Sequence, residues 1–104
     1  MDNKSQIVRK VMDHLYVDPT EGLLKDYRVV EDPYRIYDVI IHVLINTDSY
    51  WNGGPSGYGG WYNLRDMEER IKSIMKYVGI NKVEIKVYMD DSMESMTDWN
   101  NIKA

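Results

Sequence analysis

Residues 36–46, IYDVIIHVLIN, constrain the fold more than any other stretch of this chain. Read at a strand's period of two, Tyr37, Val39, Ile41, Val43 and Ile45 form one wholly apolar face, and Ile36, Asp38, Ile40, His42, Leu44 and Asn46 a mixed one. Apolarity on both sides marks the central strand of a sheet. Its partners are sought in the segments on either side.

Upstream, residues 5–16 set Ile7, Val8, Val11, Met12 and Leu15 at helical spacing, with Lys4, Arg9, Lys10 and Asp13 opposite. This amphipathic helix stops before Asp18-Pro19, because proline pushes the residue ahead of it out of the helical region. Residues 27–31 read as a strand, joined to the central one in a short antiparallel hairpin through Asp32-Pro33, where proline presets the turn. From Asn63 the period changes: Leu64, Met67, Ile71, Ile74, Met75 and Val78 share one helical stripe. Asn63 is its N-cap, Asp66/Arg70 and Glu68/Lys72 are i,i+4 pairs, and Gly79 is its stop. Val83, Ile85, Val87 and Met89 then alternate with Lys82, Glu84, Lys86 and Tyr88, giving a last strand with one buried face.

The order is α-β-β-α-β. A right-handed strand-helix-strand crossover lays the last strand parallel to the central one. The expected architecture is α+β: a two-layer α/β sandwich, with two helices on one face of a small three-stranded mixed sheet. The other face carries Asp38, His42, Glu84 and Lys86, open to water or to a partner. At 104 residues and 43% hydrophobic content the chain makes one domain, residues 1–89, with an acidic C-terminal tail or short helix at 90–104.

Composition excludes several chemistries. There is no cysteine, so disulfides, thiolate catalysis and Cys-based zinc sites are out, and two histidines cannot make a His-rich metal centre. No apolar run approaches the ~20 residues of a membrane span, and the opening MDNKSQIVRK has no signal-peptide core, so a cytoplasmic chain is expected. The net charge of −4 counts against nucleic acid as the main partner, but its placement is uneven. Residues 1–86 hold twelve basic and thirteen acidic side chains, and residues 87–104 hold one basic and four acidic. The globular part is nearly neutral.

Residues 49–64, SYWNGGPSGYGGWYNL, carry no charge, five glycines and five of the twelve aromatics: Tyr50, Trp51, Tyr58, Trp61 and Tyr62. A loop this long in a small domain tends to carry function, and this one leaves the C-terminal end of a central strand for a helix N-terminus. It lacks the Gly-Lys-Ser/Thr of a P-loop, the Gly-x-Gly-x-x-Gly of a dinucleotide loop and any Lys or Arg, so it is not a phosphate cradle. Two readings stand. Either the aromatics recognise a protein, offering large contact area at low entropic cost, or Trp51 and Trp61 fold back over the sheet edge.

In the tail, Met93, Met96 and Trp99 recur every three residues among Asp90, Asp91, Glu94 and Asp98. That is a short helix with an adaptable apolar side, for a partner or for its own domain, or else a solvated tail. The acidic residues lack the spacing of a calcium loop, and no metal or cofactor is expected.

Catalytic candidates are few. Four strand residues put Asp38 and His42 about 13 Å apart, too far for an acid-base pair. His14 borders the first helix's apolar stripe, and Glu84-Ile85-Lys86 has a Glu-x-Lys spacing known from metal-dependent nucleases but follows the second helix instead of preceding it. No catalytic residue is assigned.

The α-β-β-α-β order with Gly54-Pro55-Ser56-Gly57 ahead of the second helix resembles a type II KH arrangement. Residues 83–94, VEIKVYMDDSME, are similar to the final strand and following Asp-x-Ser region of the bacterial ribosome-binding factor A family. The resemblance implies RNA or ribosome binding, with Arg65, Arg70, Lys72 and Lys76 expected to form a basic face beside the loop. The acidic, Tyr- and Asp-rich composition is also similar to that of small phage-encoded accessory or virion proteins. The primary expectation is a non-enzymatic accessory or structural protein that binds a protein, or itself, through Tyr50, Trp51, Tyr58, Trp61 and Tyr62, with Met93, Met96 and Trp99 as a second contact.

Overall fold

The computed structural model describes residues 4–17, 24–47 and 64–102. Among them the order is α1 (Lys4–Val17), β1 (Leu24–Val30), β2 (Val39–Ile45), α2 (Leu64–Tyr77), β3 (Val83–Met89) and α3 (Met93–Asn100). The sheet runs β1-β2-β3, with β1 antiparallel and β3 parallel to the central β2. This is the α+β mixed sheet expected from the sequence, extended by a third helix where a tail or short helix was expected.

One face of the sheet forms the core. Val29, Val39, Ile41, Val43, Ile45, Val83 and Ile85 point into it and meet Val8 and Met12 of α1 and Met67, Ile71 and Met75 of α2. Methionine suits this layer because its unbranched side chain fills the gaps that β-branched neighbours leave. Helix α2 ends in a paired cap: the Ile80 amide donates to the Met75 carbonyl at 2.8 Å and the Gly79 amide to Lys76 at 3.1 Å. Gly79 sits at φ +91°, a conformation that side chains resist, and Ile80 is buried just beyond it.

The hairpin departs from expectation. β1 spans 24–30, not 27–31, and β2 begins at Val39, not Ile36. The Asp32 carboxylate explains the second difference. It accepts the amides of Tyr34 (3.0 Å), Ile36 (2.9 Å) and Tyr37 (2.9 Å), so the amides of Ile36 and Tyr37 are taken up within the loop. Arg35, at φ 58°, turns the chain between them. Tyr37 therefore leaves the apolar face assigned to it, and its hydroxyl lies against Glu84 on the opposite side of the sheet.

Two further aspartates tie the ends of β2. At its start, the Asp38 carboxylate takes the Lys4 ammonium (2.8 Å) and the Lys82 amide (3.3 Å). At its end, Asp90 accepts the Thr47 amide (3.0 Å), the Thr47 hydroxyl and the Lys25 ammonium (3.2 Å). Both carboxyls are held below the ordinary aspartate range, chiefly by the Lys4 hydrogen bond at Asp38 and the Thr47 hydroxyl at Asp90.

Candidate functional site

The sheet face away from α1 and α2 carries the polar chemistry, and strand register sets it in rows. Arg28, His42 and Lys86 align across the three strands; Val30, Ile40 and Glu84 form the row on one side, and Asp26, Leu44 and Tyr88 the row on the other. His42 thus lies between two cations. Burial first, then Lys86 and Arg28, push its pKa below the ordinary histidine value, so the ring is neutral at pH 7. Its Nδ1 is 2.8 Å from the Tyr88 hydroxyl. Burial and then Asp98 raise the pKa of that phenol, which keeps its proton.

Helix α3 folds onto one end of this face. Ser92 caps it, its hydroxyl accepting the Ser95 amide at 3.2 Å. Trp99 is buried, edge-on to Tyr88 with ring centres 5.6 Å apart and with the Arg28 guanidinium 4.5 Å from its own centre. Arg28 also donates to the Trp99 carbonyl at 2.9 Å, at a helix end where carbonyls lack intrahelical partners. Of the three apolar tail residues singled out by spacing, Trp99 faces inward, Met96 is half-buried and Met93 is 88% exposed.

Of the expected partner-binding residues, Tyr50, Trp51, Tyr58, Trp61 and Tyr62 lie outside the described residues. Their point of departure is described. The chain enters 48–63 from Thr47, which Asp90 holds, and Met93 follows Asp90 by three residues. Thr47, ahead of the first stretch singled out in the sequence, and Asp90, ahead of the second, are therefore tied together at the end of the sheet where β2 and β3 finish. That end is acidic, with Asp91, Glu94 and Asp98 exposed around Met93.

The opposite end differs in character. The Asp32 loop presents Tyr34, 82% exposed, and Ile36, 64% exposed, with Tyr37 beside them. Two grooves meet there and share Ile36 and Tyr37. One, of about 440 Å³, runs over the open sheet face and includes Tyr34, Ile40, His42 and Lys86. The other, of about 570 Å³, lies between the end of α2 and the start of β3 and includes Lys72, Lys76 and Lys82. Among the described residues none of these four lysines is in an ion pair, whereas Arg65 is paired with Glu69 at 3.3 Å. Sequence reasoning missed this end. The signal available was Asp32-Pro33 followed by a tyrosine and an isoleucine that fit no buried face.

The catalytic candidates stay apart. Asp38 is turned to Lys4 and Lys82, His42 is held by a tyrosine rather than a carboxylate, and His14 is exposed on α1. Glu84 and Lys86 share the open face, with Glu84 against the Tyr37 hydroxyl, whose pKa it raises. Among the described residues no group of three or more acidic or imidazole side chains is placed to hold a metal ion, and no helix is long and apolar enough to cross a membrane. Compared with protein-family models, with curated proteins and with solved structures, the chain finds no match.

Proposed function

We propose that the chain is a small non-enzymatic binding module whose partner is a protein, engaged at the end of the sheet where β2 and β3 finish. The observation that supports this is the Asp90–Thr47 tie, which fixes Thr47, the last described residue before the uncharged aromatic stretch, at the end of the sheet from which the chain leads into the exposed Met93. Aromatic and methionine side chains are the types enriched where proteins meet, and an acidic rim of Asp91, Glu94 and Asp98 gives such a surface selectivity for a basic partner. A KH-like arrangement would instead put nucleic acid at Gly54–Gly57 with Arg65, Arg70, Lys72 and Lys76 alongside. Lys72 and Lys76 line a groove with Lys82 and Ile36 at the far end of α2, which favours the protein-binding reading for the loop.

The test compares the wild type with Trp51→Ala/Trp61→Ala and with Met93→Asp in co-purification from the native source. Both variants are expected to keep the wild-type melting temperature and to lose the same protein. Retention of that protein at full strength by both variants would sink the reading.

A further inference from the structure

At the other end of the sheet, we infer a second and separate binding site, for single-stranded nucleic acid, built on the ridge of Ile36 and Tyr37. The two grooves that meet at this ridge divide the recognition of a nucleic-acid strand between them. Lys72, Lys76 and Lys82 line one, and their ammonium groups are free of ion pairs among the described residues. Three free cations along one groove fit the repeating phosphates of a backbone. The other groove offers exposed aromatic surface at Tyr34 and Tyr37, on which an unstacked base can lie. At its floor are the His42 ring, whose Nε2 has no hydrogen-bond partner among the described residues, and the Lys86 ammonium, both suited to a base edge.

The groove over the open face is lined by the Asp32 and Glu84 carboxylates as well as by Lys86, so the phosphates belong to the other groove, whose lining has, among the described residues, three lysines and no acidic side chain. The Asp32 carboxylate is filled by three backbone amides, Asp38 holds Lys4, and Glu84 lies against the Tyr37 hydroxyl. The acidic residues of the last fifteen positions, Asp90, Asp91, Glu94 and Asp98, line neither groove. A duplex does not fit the arrangement, since its bases are stacked on each other and not free to lie on Tyr34. An acidic peptide would satisfy the lysines and leave the tyrosines and the His42 edge unused.

The experiment measures fluorescence anisotropy of a labelled twelve-nucleotide oligouridylate titrated with the full-length chain. Binding is expected in the range of about 1–100 µM at 50 mM salt, weakening roughly twentyfold at 200 mM if three phosphates are neutralised. Lys72→Ala/Lys76→Ala should reduce the log-log salt slope by about 1.4. Tyr34→Ala should weaken binding by at least about fivefold with the slope unchanged, as the loss of a stacked base predicts. Lys10→Ala, on the exposed side of α1, should change nothing. The inference is overturned by no binding at 50 mM salt, by an unchanged slope in the lysine variant, by an unchanged affinity in Tyr34→Ala, or by equal binding of a paired duplex or of polyglutamate. All variants are at exposed positions, and thermal melting checks that each is folded. Since Trp51, Trp61 and Met93 take no part, this result is independent of the protein-binding test.

Discussion

Trp99→Ala should detach α3 from the sheet while the rest of the fold survives. Trp99 is the one buried residue of that eight-residue helix, and a helix of that length is marginal in water without tertiary support. Burial of a tryptophan removes roughly 150–250 Å² from water, worth about 4–6 kcal/mol at 25 cal/mol per Å². The Arg28 guanidinium over the ring and the Tyr88 edge contact add about 1–2 kcal/mol together. The full sum would not be lost, because a helix that comes off the sheet regains chain entropy that docking had cost it. We expect about 3 kcal/mol, near the lower end of the range for large-to-small aromatic substitutions in cores. For a domain of this size that corresponds to a fall in melting temperature of about 10–20 °C.

Hydrogen exchange makes the assay specific. The amides of 96–100 should exchange at near-unprotected rates in Trp99→Ala, while those of β2 and α2 keep protection scaled only by the global loss. Arg28→Met, which keeps an apolar stem but loses the cation and its bond to the Trp99 carbonyl, should cost less and combine with Trp99→Ala less than additively. A melting temperature within about 3 °C of wild type, with α3 amides still protected, would refute the reasoning, since it would mean that Trp99 does not anchor the helix.

The neutral state of His42 sets a pH dependence. Its folded pKa is depressed by burial and by Lys86 and Arg28, so below the ordinary value of 6.5 the unfolded chain binds a proton that the folded chain refuses. Stability should therefore fall as pH drops from about 6.5 towards the folded pKa, and His42→Gln should flatten that part of the urea-denaturation profile. Asp90→Ala should destabilise by about 1–3 kcal/mol through loss of the Thr47 and Lys25 bonds, and the Thr47 amide should lose exchange protection more than its neighbours in β2. Gly79→Ala should lower stability by about 1 kcal/mol in chemical denaturation; no atom lies within 4 Å of the added methyl, so the whole cost is backbone strain at φ +91°. Ser5→Ala should raise stability by up to about 1 kcal/mol in the same assay, because the Ser5 hydroxyl is buried without a hydrogen-bond partner among the described residues.

What the sequence discloses follows from periodicity. The alternation Val39, Ile41, Val43, Ile45 and the stripe Met67, Ile71, Met75 are both repeats of local geometry, and both predicted the buried face correctly. The parallel placement of β3 followed from chain connectivity alone. Where periodicity was extrapolated past the strand, through Ile36 and Tyr37, it failed. Three amides captured by one carboxylate outweighed the preference of apolar residues for the core, and no pattern of spacing records that competition.

The same competition produces the two unlike ends of the sheet. Asp32 holds Tyr34 and Ile36 out in water by satisfying the loop's backbone, so their exposure is set by a buried polar group and not by a shortage of core. Asp90 does the reverse, drawing Thr47 and the start of α3 together across strands that lie 43 residues apart in sequence. In each case an aspartate in the middle of hydrogen-bond donors decides which apolar side chains face outward. By pairing the loop amides, Asp32 lets the chain keep Tyr34 exposed without leaving backbone donors unsatisfied. The placement of Asp32 and Asp90 is therefore as much a determinant of what the surface can bind as the aromatic residues themselves.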